Sequence, residues 1–118
     1  MPAIAYTEIT CSFVWLVAVM TNDADAAATR IQVVVLGETF PGRDDMAKGT
    51  WPTKHRYVFA WPNPEENKKI TSVMLWRSFA VVENPPAGWD LISSDINVDR
   101  MPPAVNDHLC IIAKTASA

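Results

Sequence analysis

The stretch ITSVMLWRSF (70–79) decides the fold, because IQVVVLGETF (31–40) repeats its pattern: Ile31 matches Ile70, Val34 matches Val73, Leu36 matches Leu75 and Phe40 matches Phe79. Both stretches are strand-length and rich in the β-branched and bulky apolar side chains that strands favour. They lie 39 residues apart, one third of a chain of 118 residues. An internal repeat is therefore the first expectation.

Each of these strands is followed by a turn-rich stretch and a second strand of similar kind. HRYVFAW (55–61) and HLCIIAK (108–114) share a leading His, three bulky hydrophobics and Ala60 or Ala113. That defines two comparable units. A degenerate third is offered by ITCSFVW (9–15), which echoes ITSVMLW at Ile, Thr and Trp.

Further strand-length apolar runs occur at CSFVWLVAVM (11–20), SFAVVE (78–83) and WDLISSDI (89–96). Between the runs stand Pro41-Gly42, Gly49 to Pro52, Pro62-Asn63-Pro64, Asn84 to Gly88 and Met101-Pro102-Pro103, the chemistry of turns. Only 23–29 and 65–69 look locally helical, and both are too short to be stable alone. The expectation is one all-β domain over residues 1–118, β-prism-like with a pseudo-threefold repeat, the alternative being a β-sandwich.

Composition narrows the function. Hydrophobic residues make up 49% and charged residues 19%, which suits a globular chain rather than a disordered one. A net charge of −3 supplies no cationic field for a phosphate backbone, so nucleic acid is set aside. Phe13 to Met20 is the longest apolar run and falls far short of the about 20 residues of a membrane span. No basic residue precedes Arg30, so the N-terminus reads as structure rather than as a leader, and a cytoplasmic setting is favoured.

The segment KKITSVMLWRSFAVVENPPAGWDLISSDIN, followed after a loop by HLCIIAK, resembles a repeat of the multivesicular-body-associated β-prism domains. Ile70-Thr71, the turn Pro85-Pro86-Ala87-Gly88-Trp89, Asp95-Ile96-Asn97 and Leu109-Cys110 take the places of that family's motifs. The match covers the C-terminal 45 residues or so. It departs by an inserted Ala87 and by Ile96 where the family has Leu. The resemblance implies a three-sheet prism and a peripheral role on acidic lipid, carried by a basic loop.

Such a loop is at hand. Arg43, Lys48, Lys54 and Arg56 stand against Asp44 and Asp45, with Trp51 near the middle and Gly42, Gly49 and Pro52 breaking regular structure. Cations gain about 1 kcal/mol each near an anionic leaflet, and a Trp ring settles among headgroups. The competing reading is a solvated loop with Trp51 packed on the core. Trp61 and Trp89 also stand beside turn residues, where a flat ring could meet a sugar or a partner protein, whereas Trp15 and Trp76 lie inside apolar runs and read as core.

Other chemistry finds thin support. Asp95, Asn97 and Asp99 are spaced like half a calcium loop, but Arg100 and Asn106 stand where that loop needs Gly and Glu. His55, His108 and Cys110 lack the paired spacing of a zinc site. Cys11 and Cys110 either meet as termini draw together or remain buried thiols, and Cys110 sits between Leu109 and Ile111, a poor setting for a nucleophile. Four glycines include no phosphate-cradling loop. No catalytic residue, metal or cofactor is expected. The reading is a non-enzymatic binding module that contacts an anionic membrane surface or a glycan through its loops, using Arg43, Lys48, Trp51, Lys54, Arg56, Trp61 and Trp89. The alternative is a protein-interaction domain, an inhibitor or a self-associating homo-oligomer subunit.

Overall fold

The computed structural model describes residues 2–9, 16–37, 55–97 and 108–117. Among these the chain is all-β: β1 (Ala3–Ile9), β2 (Leu16–Thr21), β3 (Ala28–Leu36), β4 (His55–Pro62), β5 (Lys68–Ser78), β6 (Leu91–Ile92) and β7 (His108–Ser117). They form three small antiparallel sheets, β1-β2, β3-β4 and β5-β7-β6. Three sheets built on three hairpin-like pairs fit the β-prism expectation, and a sandwich fits them as well.

The threefold relationship is written in the strand registers. Each leading strand carries one extra residue near its start, with the register shifting between Ile4 and Tyr6, between Ala28 and Arg30, and between Ile70 and Ser72. A bulge inserts an unpaired residue and twists the strand, and here it falls at the same level in all three pairs. The extra residues of the second and third pairs, Thr29 and Thr71, each donate a hydroxyl proton to a carbonyl of the partner strand, Trp61 O at 3.3 Å and Lys114 O at 3.4 Å.

Residues at matching positions then build matching layers. Ile4, Ala28 and Ile70, just before the bulges, are fully buried and share one core cluster with Ala113. Higher up, Leu16, Val58 and Ile111, which face Ile9, Val33 and Leu75 across their ladders, meet in a second cluster. Ile31 and Val73 pack against both clusters, so the core is continuous along the axis. Burying large aliphatic side chains at about 1.5–3 kcal/mol each is what holds the three pairs together.

The bulge also corrects the repeat read from the sequence. Equivalent positions in β3 and β5 are Ala28 and Ile70, 42 residues apart and not 39. An ungapped match sets Val34 on Val73, yet the inward residues are Ile31, Val33 and Val35 in one strand and Ile70, Val73 and Leu75 in the other. The extra residue shifts the phase of alternation, so an alignment by residue type lands one face against the other.

Connections between the pairs match as well. From Thr21 to Ala28 and from Asn63 to Ile70 the chain takes the same number of steps, and both turns open alike. The Thr21 hydroxyl accepts from Asp23 N at 3.0 Å, and Asn63 Oδ1 accepts from Glu65 N at 3.1 Å. Such side-chain caps favour turns over helix, which is why neither 23–29 nor 65–69 becomes helical. These short connections lie at one end of the axis, here termed the pole. The connections within the pairs, two of them much longer, leave from the opposite end.

Candidate functional site

Two of the connections depart from the end opposite the pole. Leu36 faces His55 and Ser78 faces His108 at the limits of their ladders, so the connections 37–54 and 79–107 both depart there. Arg43, Lys48, Trp51 and Lys54 fall outside the described residues. Arg56 is the second residue of β4, inside the strand expected over 55–61, where it pairs with Val35 and is only 7% exposed. Arg56 is not without a partner there. The strand begins at His55, and alternation turns Arg56 to the same side as Val58, toward the core.

A feature that the sequence does not disclose follows the end of β5. SFAVVE (78–83) was expected to be a strand, but β5 stops at Ser78. The Ser78 hydroxyl donates to Ala80 O at 2.8 Å and accepts from Ala80 N at 3.2 Å, a local turn that competes with the ladder. Phe79 and Val81 are thereby left 79% and 77% exposed, next to the exposed Arg77. The apolar run was visible in the sequence; its failure to pair was not.

Trp61 is 43% exposed, near the pole end of β4. Its indole is held in place, because Nε1 donates to Gln32 Oε1 at 2.9 Å, Phe59 stacks beside it at 5.8 Å and 13°, and the Arg30 guanidinium lies 6.0 Å from the ring centroid. A fixed, exposed ring loses little entropy on binding and offers a flat face to a sugar or a protein.

Trp89 has a different role. It follows Gly88, whose φ of +88° makes the turn in which Trp89 N donates to Pro86 O at 3.1 Å. The ring is half-buried and Lys114 Nζ lies 4.9 Å from its centroid. Beyond it the segment 90–97 runs along the free edge of β7, though only Leu91 and Ile92 form ladder pairs. Polar side chains continue the attachment: Asp90 Oδ2 accepts from Thr115 N at 2.7 Å, Ser93 Oγ from Ile111 N at 2.9 Å and Asp95 Oδ1 from Leu109 N at 3.0 Å. In place of the eight-residue strand expected over 89–96 stands a two-residue strand, extended by these side chains and by the amides of Asp90, Ser93 and Ile96, which donate to carbonyls of β7. Trp76 is half-buried within β5, and Trp15 lies outside the described residues.

The oxygens that suggested half a calcium loop are engaged otherwise. Asp95 Oδ1 also accepts from Asn97 N at 2.9 Å, and Oδ2 lies 2.8 Å from His108 Nδ1. Burial alone would raise the Asp95 pKa, but the hydrogen bonds from His108, Leu109 and Asn97 outweigh it and hold the carboxyl below its ordinary value. Among the described residues no three His, Cys, Asp or Glu side chains gather as a metal site would need. Cys110 is a buried free thiol whose pKa is pushed up, first by burial and then by the Asp95 charge. That is the opposite of what activates a thiolate. Cys11 lies outside the described residues.

No family model matches the chain, and no curated protein and no solved structure matches it either. No helix among the described residues is long and apolar enough to cross a membrane.

Proposed function

We propose that the chain is a non-enzymatic binding module that docks peripherally on an anionic membrane surface, on the cytoplasmic side, with the end of the prism opposite the pole. The observation that carries the reading is the exposed pair Phe79 and Val81 beside Arg77, at the end from which the connection bearing Arg43, Lys48, Trp51 and Lys54 also departs. Apolar side chains that enter the headgroup layer, flanked by cations that meet its negative potential, are the two parts of a reversible membrane contact. The resemblance of residues 70–114 to the multivesicular-body-associated β-prism domains points the same way.

Co-sedimentation with vesicles tests it. The intact chain pellets with phosphatidylserine-containing vesicles at low salt, less so at high salt, and not with purely zwitterionic ones; the double variant F79S/V81S stays in the supernatant. Absence of pelleting with anionic vesicles at low salt would rule the reading out. A second reading, a glycan or protein contact through Trp61, is favoured by the way Gln32, Phe59 and Arg30 fix that ring. It is tested by a glycan array and by W61A.

A further inference from the structure

At the pole the threefold pattern is broken by a single charge. The residues that precede Ile4, Ala28 and Ile70 are Ala3, Ala27 and Lys69, and all three are buried. Two equivalent positions accept a methyl group. The third holds an ammonium on a side chain only 4% exposed. Removing a charged amine from water costs several kcal/mol unless partners replace the solvent. Among the described residues Lys69 has one such partner, the Asn63 carbonyl, to which Nζ donates at 2.9 Å. An ammonium has three protons to give.

Beside Lys69 lies a cavity of about 100 Å³, also lined by Ala3, Ala27, Thr21, Asn22 and Asp23. Its lining includes further donors. The Thr21 oxygen accepts from Asp23 N and so leaves its own proton free to donate, and the Asn22 amide carries two more. Asp23 is the one anionic group of the lining, and its Oδ1 is turned back to accept from Asp25 N at 3.0 Å. We propose that this cavity is a binding site for a small oxyanion, a phosphate or a carboxylate, held by the Lys69 ammonium with the Thr21 hydroxyl and the Asn22 amide. The site is at the far end from the proposed membrane contact and does not depend on it.

Thermal unfolding in sodium phosphate, against sodium chloride of matched ionic strength, tests the site. A ligand bound only by the folded state raises Tm saturably with its concentration. The wild-type chain shows that rise with phosphate and a weaker one with acetate. K69M keeps the aliphatic stem and removes the charge, and the response weakens by more than about tenfold in phosphate concentration, equivalent to about 1.4 kcal/mol. D23N keeps the turn's acceptor oxygen while removing the like charge, and its midpoint moves to lower phosphate. A wild-type Tm that phosphate raises no more than chloride does overturns the proposal, as does an undiminished response in K69M. Should K69M not fold, a D23N midpoint equal to or above that of wild type overturns it in the same way.

Discussion

Asp95 and His108 face one another across the edge of the third sheet, with Oδ2 2.8 Å from Nδ1. The other oxygen of the same carboxylate accepts the amides of Leu109 and Asn97. One side chain therefore fastens the start of β7 to the segment that runs along it. Asp90 does the same near the strand's far end, receiving the amide and the hydroxyl of Thr115.

Both carboxyls have pKa values below the ordinary Asp value of 3.8, Asp90 chiefly through the Thr115 amide and Asp95 through hydrogen bonds that outweigh its burial. A lowered folded-state pKa means that the unfolded chain takes up these protons first as pH falls. Their stabilisation is present above 3.8 and is lost as pH drops through the folded-state values. Urea unfolding monitored from neutral pH down to about 2 should show a steepening loss in the acid range, and D95N should flatten it. At neutral pH D95A should cost about 2–3 kcal/mol, because the Leu109 amide loses its charged acceptor.

Thr7 occupies the inward position that Ile31 and Val73 hold in the other two pairs, and its buried hydroxyl has no hydrogen-bond partner among the described residues. Replacing it by the isosteric Val removes the desolvated oxygen without changing shape. T7V should raise stability by about 1–2 kcal/mol in denaturant titration. An unchanged or lower midpoint would show that the oxygen is satisfied.

Ile4 and Ile70 are fully buried in the layer below the bulges. Their truncation to Ala should cost about 2–5 kcal/mol each, with the two effects coupled because the side chains share a cluster. A double-mutant cycle by chemical denaturation measures the coupling; strict additivity would count against the shared layer.

Gly88 meets nothing within 4 Å at the place a Cβ would occupy, so only its φ of +88° resists substitution. G88A should therefore destabilise by about 1–2 kcal/mol through backbone strain alone. The same variant should loosen the contact between Trp89 and Lys114, visible as a shift in tryptophan emission. A G88A protein as stable as wild type would mean that the turn relaxes freely.

Cys110 should react slowly with thiol reagents in the native state at pH 8, since it is buried and its pKa is raised. Mapping of alkylated peptides before and after denaturation checks this, and rapid native labelling of Cys110 would contradict the burial.

The all-β class was legible because Val, Ile and aromatic runs alternate with Pro and Asn turns, a local signal. What escaped is what depends on non-local pairing. β1, AIAYTEI (3–9), carries strand formers in Ile4, Tyr6, Thr7 and Ile9, but two alanines and a Glu interrupt them, so it forms no continuous apolar run, and its pairing with β2 completes it. The bulge hid the true offset of the repeat, since residue identity does not reveal a one-residue phase shift. At the site, Arg56 belongs by sequence both to the basic stretch and to the strand over 55–61, and its residue type does not show which face of that strand it takes. Lys69 stood in plain view in a Lys-Lys pair, the commonest look of a solvated surface, and only its equivalence to Ala3 and Ala27 gives it meaning.

The direction of the strands has a practical outcome for anything attached to the chain. β1 leaves the pole and β7 returns to it, so that Ala3 and Ala116 line the same small cavity. A tag, a linker or a neighbouring domain continuing from either side would therefore emerge behind the molecule, two tethers from one anchor point. The face that bears Phe79 and Val81 would stay clear, and a fusion at either end could report on contacts there without standing in their way.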